Sequence, residues 1–291
     1  MSAEQKKICF NETQLINLYG LLFNVAYEDG ELDKEELKKI FELVNFDGFS
    51  ERGKKKVQVF LIEKPNINEI LLAFKKDILE LRYTGYLNSI EIAIANDDIS
   101  EDQERLLKHI KAEFSISDDQ DKKIREFAKK AKELAERGID DKYAADALKS
   151  GIAGLGAVGV PVAAVYFSGS VVGLSAAGIT SGLAAIGLGL GMIPGIGVAI
   201  LLGSAIFIGI TKILDLGGKR KKRKHQLEKE RRAQMVIKNL QETINMLIDK
   251  IMDLDEKAKN AVANKEAIQK LQSILKNLRQ IQNSKKREVI E

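Results

Sequence analysis

"SAAGITSGLAAIGLGLGMIPGIG", residues 175–197, holds no charged side chain, no aromatic ring and seven glycines. Each glycine inside a water-exposed helix costs roughly 1 kcal/mol relative to alanine, so the stretch is a poor soluble helix. Its surroundings are just as neutral. Residues 150–211, 62 in a row, contain no Asp, Glu, Lys, Arg or His, and 15 of the 23 glycines fall there. One bilayer crossing by a helix takes about 20 apolar residues. The block therefore accommodates two crossings and a turn, and marginally three, split at Ser168–Ser170 and at Pro194-Gly195, which would place the two ends on opposite faces. Twenty-six of its residues are Leu, Ile, Val, Phe or Met. At about −0.3 to −0.6 kcal/mol each they contribute about −8 to −16 kcal/mol of gross insertion free energy.

The glycines suit that setting. Helices in lipid have little hydrophobic reason to associate, and small residues four apart let backbones touch. Gly169 and Gly173, Gly178 and Gly182, then Gly187, Gly191 and Gly195 repeat that spacing. Residues 150–211 are expected to form a Gly-rich transmembrane hairpin with this face at its seam. A flexible linker would be rich in polar residues rather than Ile, Leu and Val. A nucleotide-binding loop would need a strand before it and an acidic residue after it. The competing reading is a hairpin kept soluble until a trigger inserts it.

Both flanks of the block are basic. Lys129, Lys130, Lys132, Arg137, Lys142 and Lys149 precede it. Lys212 and the run Lys219, Arg220, Lys221, Lys222, Arg223, Lys224 follow it. Positive flanks stay on the cytoplasmic side, so both termini are expected there, with an even number of crossings of a bacterial inner membrane. The run at 219–224 lies where lipid phosphates would sit, each charge gaining about 1 kcal/mol near anionic lipid. It has no interleaved aromatic residues for stacking bases, which argues for lipid over nucleic acid as its partner.

Outside the block the chain is polar and helical by pattern, giving an all-α expectation. Residues 8–116 read as an N-terminal helical bundle and 118–149 as a charged amphipathic linker helix with Ile124, Phe127, Ala131 and Leu134 in one stripe. Within the first region "LLFNVAYEDGELDKEELKKIFELV" and "IEIAIANDDISEDQERLLKHIKAEF" repeat one pattern: an apolar helix, an acidic turn, a cap and an amphipathic helix. This duplication, over residues 10–116, resembles the TerB-like domains of the tellurite-resistance family. The resemblance implies a helical bundle in a bacterial stress-response or phage-defence protein. It also implies a divalent cation at the acidic turns, held by Asp29, Glu31 and Asp33 in the first and by Asp98 and Glu101 in the second. The second turn has Asn96-Asp97 where the first has Asp29-Gly30. Asp33 with Glu36, and Ser100 with Gln103, also read as capping boxes, a purely structural use of the same residues.

No enzyme is expected. His109 and His225 have no carboxylate or cysteine at a catalytic spacing, and Cys9, the one cysteine, excludes an intrachain disulfide. Residues 219–290 carry the basic run and then a 4–3 rhythm: Leu240, Ile244, Leu247, Ile251, Leu254, Ala258 and Ala261. It breaks at Lys265 and resumes with Ile268, Leu271, Leu275 and Leu278, Leu271 and Leu278 being one position out of phase. Such a seam serves a coiled coil with a protein partner or a second copy, or packs on this chain's own bundle. The slip marks a stammer or a turn near Asn260–Asn264. The function expected is a membrane-anchored sensor or scaffold, the alternative a membrane-permeabilising effector.

Overall fold

The computed structural model describes residues 7–8, 10–30, 32–44, 46, 49–136, 142–161, 164, 200–201, 219–257 and 262–290. Among these the chain is all-helical, apart from a two-residue antiparallel pair, Lys7–Ile8 with Ile200–Leu201. The helices are α1 (Glu12–Ala26), α2 (Lys34–Leu43), α3 (Glu51–Val59), α4 (Ile67–Lys75), α5 (Leu79–Ala93), α6 (Glu101–Glu113), α7 (Asp118–Glu136), α8 (Lys142–Ala157), α9 (Lys219–Lys257) and α10 (Val262–Ile290).

Two helices form the axis of the bundle. α1 buries Ile16 and every residue from Leu18 to Ala26, and α5 buries Leu81 and Tyr83–Ala93. Helices apolar on all sides belong in the middle. They pack on each other, and α2, α3, α4, α6 and α7 cover the remaining faces. Two glycines permit the closeness. A Cβ on Gly20 would sit 2.8 Å from Ile70 Cδ1, and one on Gly85 would sit 2.8 Å from Phe74 Cε1 and 3.0 Å from Leu21 Cδ2.

The expected stripe on α7 is buried: Ile124, Phe127, Ala131 and Leu134 are all at most 3% exposed. An ion-pair network fastens this helix to its neighbours. Arg125 donates to Glu104 on α6 at 2.9 and 3.1 Å and to Asp121 at 2.7 Å, while the Tyr86 hydroxyl on α5 donates to Asp121 at 2.7 Å. Burial opposes the charge on Asp121, but the bonds from Tyr86 and Arg125 outweigh it and hold its pKa below the usual carboxylate range.

The region expected as one linker helix is two, α7 and α8, and residue 150 falls inside α8 rather than at a boundary. α8 returns along α7 with Ile152 and Leu155 buried. Its end is tied down where Gln120 Nε2 donates to the Val158 carbonyl at 2.9 Å. The first turns of the neutral block therefore belong to the helical bundle. Residues 165–199 and 202–218, with all of the expected glycine seam from Gly169 to Gly195, lie outside the described residues. Among the described residues no helix is long and apolar enough to cross a membrane.

The C-terminal rhythm folds back on itself. α9 and α10 are antiparallel partners, with Gln282 Nε2 donating to Gln241 Oε1 at 3.0 Å and to the Ile237 carbonyl at 3.3 Å. α9 ends at Lys257 and α10 begins at Val262, a few residues before the break at Lys265. Val236, Leu240, Ile244 and Leu247 of α9 meet Leu271, Ile274, Leu278 and Ile281 of α10 in a buried seam. Ile274 is buried there, whereas Leu275, expected at the seam, is half-buried.

This pair does not stand apart. It packs on α2, and Asn239 Nδ2 donates at 3.0 Å to the Val44 carbonyl in a buried bond. Lys285 reaches Glu42 at 2.8 Å. Residues on either side of the neutral block thus share one core.

Candidate functional site

The two acidic turns are copies in three dimensions. Tyr27 N donates to the Phe23 carbonyl, Glu28 N to Val25 and Gly30 N to Tyr27. Ile94 N, Ala95 N and Asp97 N repeat those bonds 67 positions later, to Ile90, Ile92 and Ile94. Gly30 has φ +103°, the left-handed region, and its counterpart Asp97 has φ +72°. Asp is among the few side chains tolerated there, which explains how Asn96-Asp97 replaces Asp29-Gly30 without changing the turn. Asp33 and Ser100, also 67 apart, cap α2 and α6, each in a complete capping box with Glu36 or Gln103.

These two boxes meet. Gln103 Nε2 donates to Glu36 Oε1 at 2.7 Å, and both side chains are buried, 2% and 1% exposed. Glu36 Oε2 accepts from Asp33 N at 3.4 Å, and Gln103 Oε1 accepts from Ser100 N at 3.2 Å. One line of hydrogen bonds runs from cap to cap across the two repeats. Burial pushes the Glu36 carboxyl up to about 8, the nearby Asp29 and Asp33 charges push the same way, and the bonds from Gln103 and Asp33 pull against them. A second equivalent polar pair, Asn24 and Glu91, is also buried. Asn24 Nδ2 donates to the Gly20 carbonyl at 2.9 Å, and Glu91 lies 3.8 Å from the Lys39 ammonium.

Lysines from other elements serve both turns. Lys132 of α7 places Nζ 2.7 Å from the Ile94 carbonyl, 3.1 Å from Ala95 and 2.5 Å from Asp97 Oδ1, closing the C-terminus of α5. At the first turn Lys64 pairs with Glu28 at 2.5 Å, and Lys270 of α10 lies over the Tyr27 ring, 5.4 Å from its centre. Ammonium groups favour helix C-termini, whose last carbonyls carry partial negative charge. Lys132→Met is expected to cost about 1–3 kcal/mol, because two carbonyls and a carboxylate lose their donor. Lys129→Met, at an exposed position of the same helix, is expected to stay within about 0.5 kcal/mol. Equal denaturation midpoints for the two variants would remove the capping role.

Four of the five expected cation donors are among the described residues, two at each turn. Asp33 Oδ1 accepts from Glu35 N at 2.6 Å, Glu101 opens α6, and Asp29 and Asp98 are exposed in the turns. Glu31 lies outside the described residues. No three Asp, Glu, His or Cys side chains among the described residues approach as a cation site would require. At the second turn the Lys132 ammonium holds the Ile94 and Ala95 carbonyls and the Asp97 carboxylate. His109 is exposed on α6. Lys219–Lys224 form the first turns of α9, and the placement of their side chains lies outside what is described.

No family model, curated protein or solved structure matches this chain.

Sequence reasoning found the two caps and the duplicated turns. It missed Lys132 and the Glu36–Gln103 bond. A faint signal existed for the second: Glu36 and Gln103 occupy one position of a 67-residue repeat, and repeats that pack about an axis bring equivalent positions near each other.

Proposed function

We propose that the protein is a non-enzymatic helical module anchored in a bacterial inner membrane through residues 165–211, working as a sensor or scaffold in stress response or phage defence. The observation that carries this reading is the docking of α9 and α10 on α2. The Asn239–Val44 bond and the Lys285–Glu42 pair join the chain before the neutral segment to the chain after it. A segment whose two ends belong to one folded body leaves and re-enters on the same face, which calls for an even number of crossings. The basic flanks supply the same orientation independently. Stress response and defence follow from the TerB-like resemblance of residues 10–116, and a protein partner is expected on the helical body or the α9–α10 pair.

A second reading, a membrane-permeabilising effector held in check until triggered, is favoured by one feature. Ile200–Leu201, inside the neutral block, pairs with Lys7–Ile8 ahead of α1. Carbonate extraction separates the two. The anchor predicts protein in the pellet of unstressed cells, with both termini shielded from protease in intact spheroplasts. The effector predicts detergent-free soluble protein that releases dye from liposomes. Opposite protease accessibility at the two ends would defeat the anchor with even crossings.

A further inference from the structure

The buried line of bonds between the two capping boxes has a property that neither membrane reading uses. Glu36 sits where two N-termini converge and is buried, and the charges that act on it among the described residues, Asp29 and Asp33, are negative. Asp29 projects from the α1–α2 turn and Asp33 caps the helix that Glu36 belongs to. From α6 it meets the neutral Gln103. That helix also carries Glu101, Asp102 and Glu104 in its first turn, and Glu104 is held by Arg125. The other charged groups around α2 have partners of their own. Glu91 on α5 faces Lys39, Glu242 on α9 faces Lys54, Lys285 on α10 faces Glu42, and Lys270 lies over Tyr27.

We propose that the Asp33–Glu36–Gln103–Ser100 line is a proton-dependent latch between the two repeats, closed while Glu36 is neutral and loosened when it ionises. A neutral carboxyl here keeps the 2.7 Å bond from Gln103 on its carbonyl oxygen, and its hydroxyl takes the side of the longer 3.4 Å contact with Asp33 N, at little desolvation cost. An ionised one is a buried charge beside two aspartates, and it regains solvent when the N-termini of α2 and α6 separate. Glu36 is an acid whose folded pKa lies above its unfolded one. The stability it contributes is full below about 4.5 and is lost as pH rises toward about 8. The latch thus opens on the alkaline side. It sits on α2, the helix that carries α9 and α10, so its state reaches the C-terminal pair whatever that pair binds.

Hydrogen exchange on the full-length protein tests this, with rates corrected for intrinsic base catalysis. Between pH 5.5 and 7.5 the opening constant of the amides of residues 33–37 and 100–104 is expected to rise severalfold per pH unit, tenfold being the ceiling for one proton. It is expected to level off above about pH 8. Glu36→Gln, which keeps the shape and removes the charge, is expected to flatten the profile. Asp29→Asn, at an exposed position, is expected to move the plateau to lower pH. A flat profile in the wild type overturns the proposal, as does an unchanged slope in Glu36→Gln or an unmoved plateau in Asp29→Asn.

Discussion

Arginine at both Ile193 and Ile196 is expected to release the protein from the membrane. The neutral residues beyond α8, 165–211, include 21 Leu, Ile, Val, Phe or Met. They contribute about −6 to −13 kcal/mol gross toward insertion, part of it offset by glycine, serine and threonine. Each arginine near the centre of a crossing costs about 2.5–3.5 kcal/mol, so two cost about 5–7 kcal/mol. Most of the net drive is then gone. Tagged wild-type protein is expected in the carbonate-resistant pellet, the double-arginine variant in the supernatant, and a double-leucine control in the pellet. The same substitution is expected to abolish dye release if the protein acts as a triggered effector. A double-arginine variant that pellets like the wild type would show that lipid does not surround this segment.

Phe74→Ala is expected to cost about 3–5 kcal/mol, a large share of the roughly 5–15 kcal/mol by which domains are stable. Phe74 is 1% exposed on α4 and stacks on Phe114 at the end of α6, with ring centres 5.0 Å apart. Its ring edge also fills the space that a side chain at Gly85 would take. One residue therefore holds three helices together, and its loss leaves a cavity between well-packed neighbours. Gly85→Ala makes the opposite error, overpacking the same contact for about 1–3 kcal/mol. Because the two changes share one volume, Phe74→Leu with Gly85→Ala is expected to cost less than the sum of the singles. Chemical denaturation followed by far-ultraviolet dichroism measures all of these. A loss under about 1 kcal/mol for Phe74→Ala would mean that the α4–α5–α6 contact is looser than described.

Patterns confined to one helix were legible in the residues alone. The 3–4 spacing of Ile124, Phe127, Ala131 and Leu134 marked the buried side of α7. Asp33 and Ser100 marked helix starts through their own side-chain chemistry. The break in the seam at Lys265 fell close to the reversal between α9 and α10. Each is a relation among residues within a few turns of one another, where helical geometry dictates which side chains share a face.

Other features turned on partners far along the chain. Nothing near Glu36 announces that its carboxyl is met by Gln103. Nothing near Lys149 shows that the neutral block begins inside a helix packed on α7, since Gly151 lies against the Phe127 ring through tertiary contact. The seam at Leu240–Leu247 fits a partner chain as well as an internal one. Its choice of α2 is made by the buried Asn239 bond to Val44, across 195 positions.

Composition and periodicity alone determined the all-helical class, the duplicated turns and the long neutral segment that any functional reading must place. Only the tertiary structure decided that the two halves flanking that segment close into one body, that lysines occupy the acidic turns, and that a carboxyl bonded to a glutamine is buried between the repeats. The reason is physical: helix formation and capping depend on neighbours within one or two turns, whereas burial, charge pairing and desolvation depend on whichever distant residues the packing brings alongside.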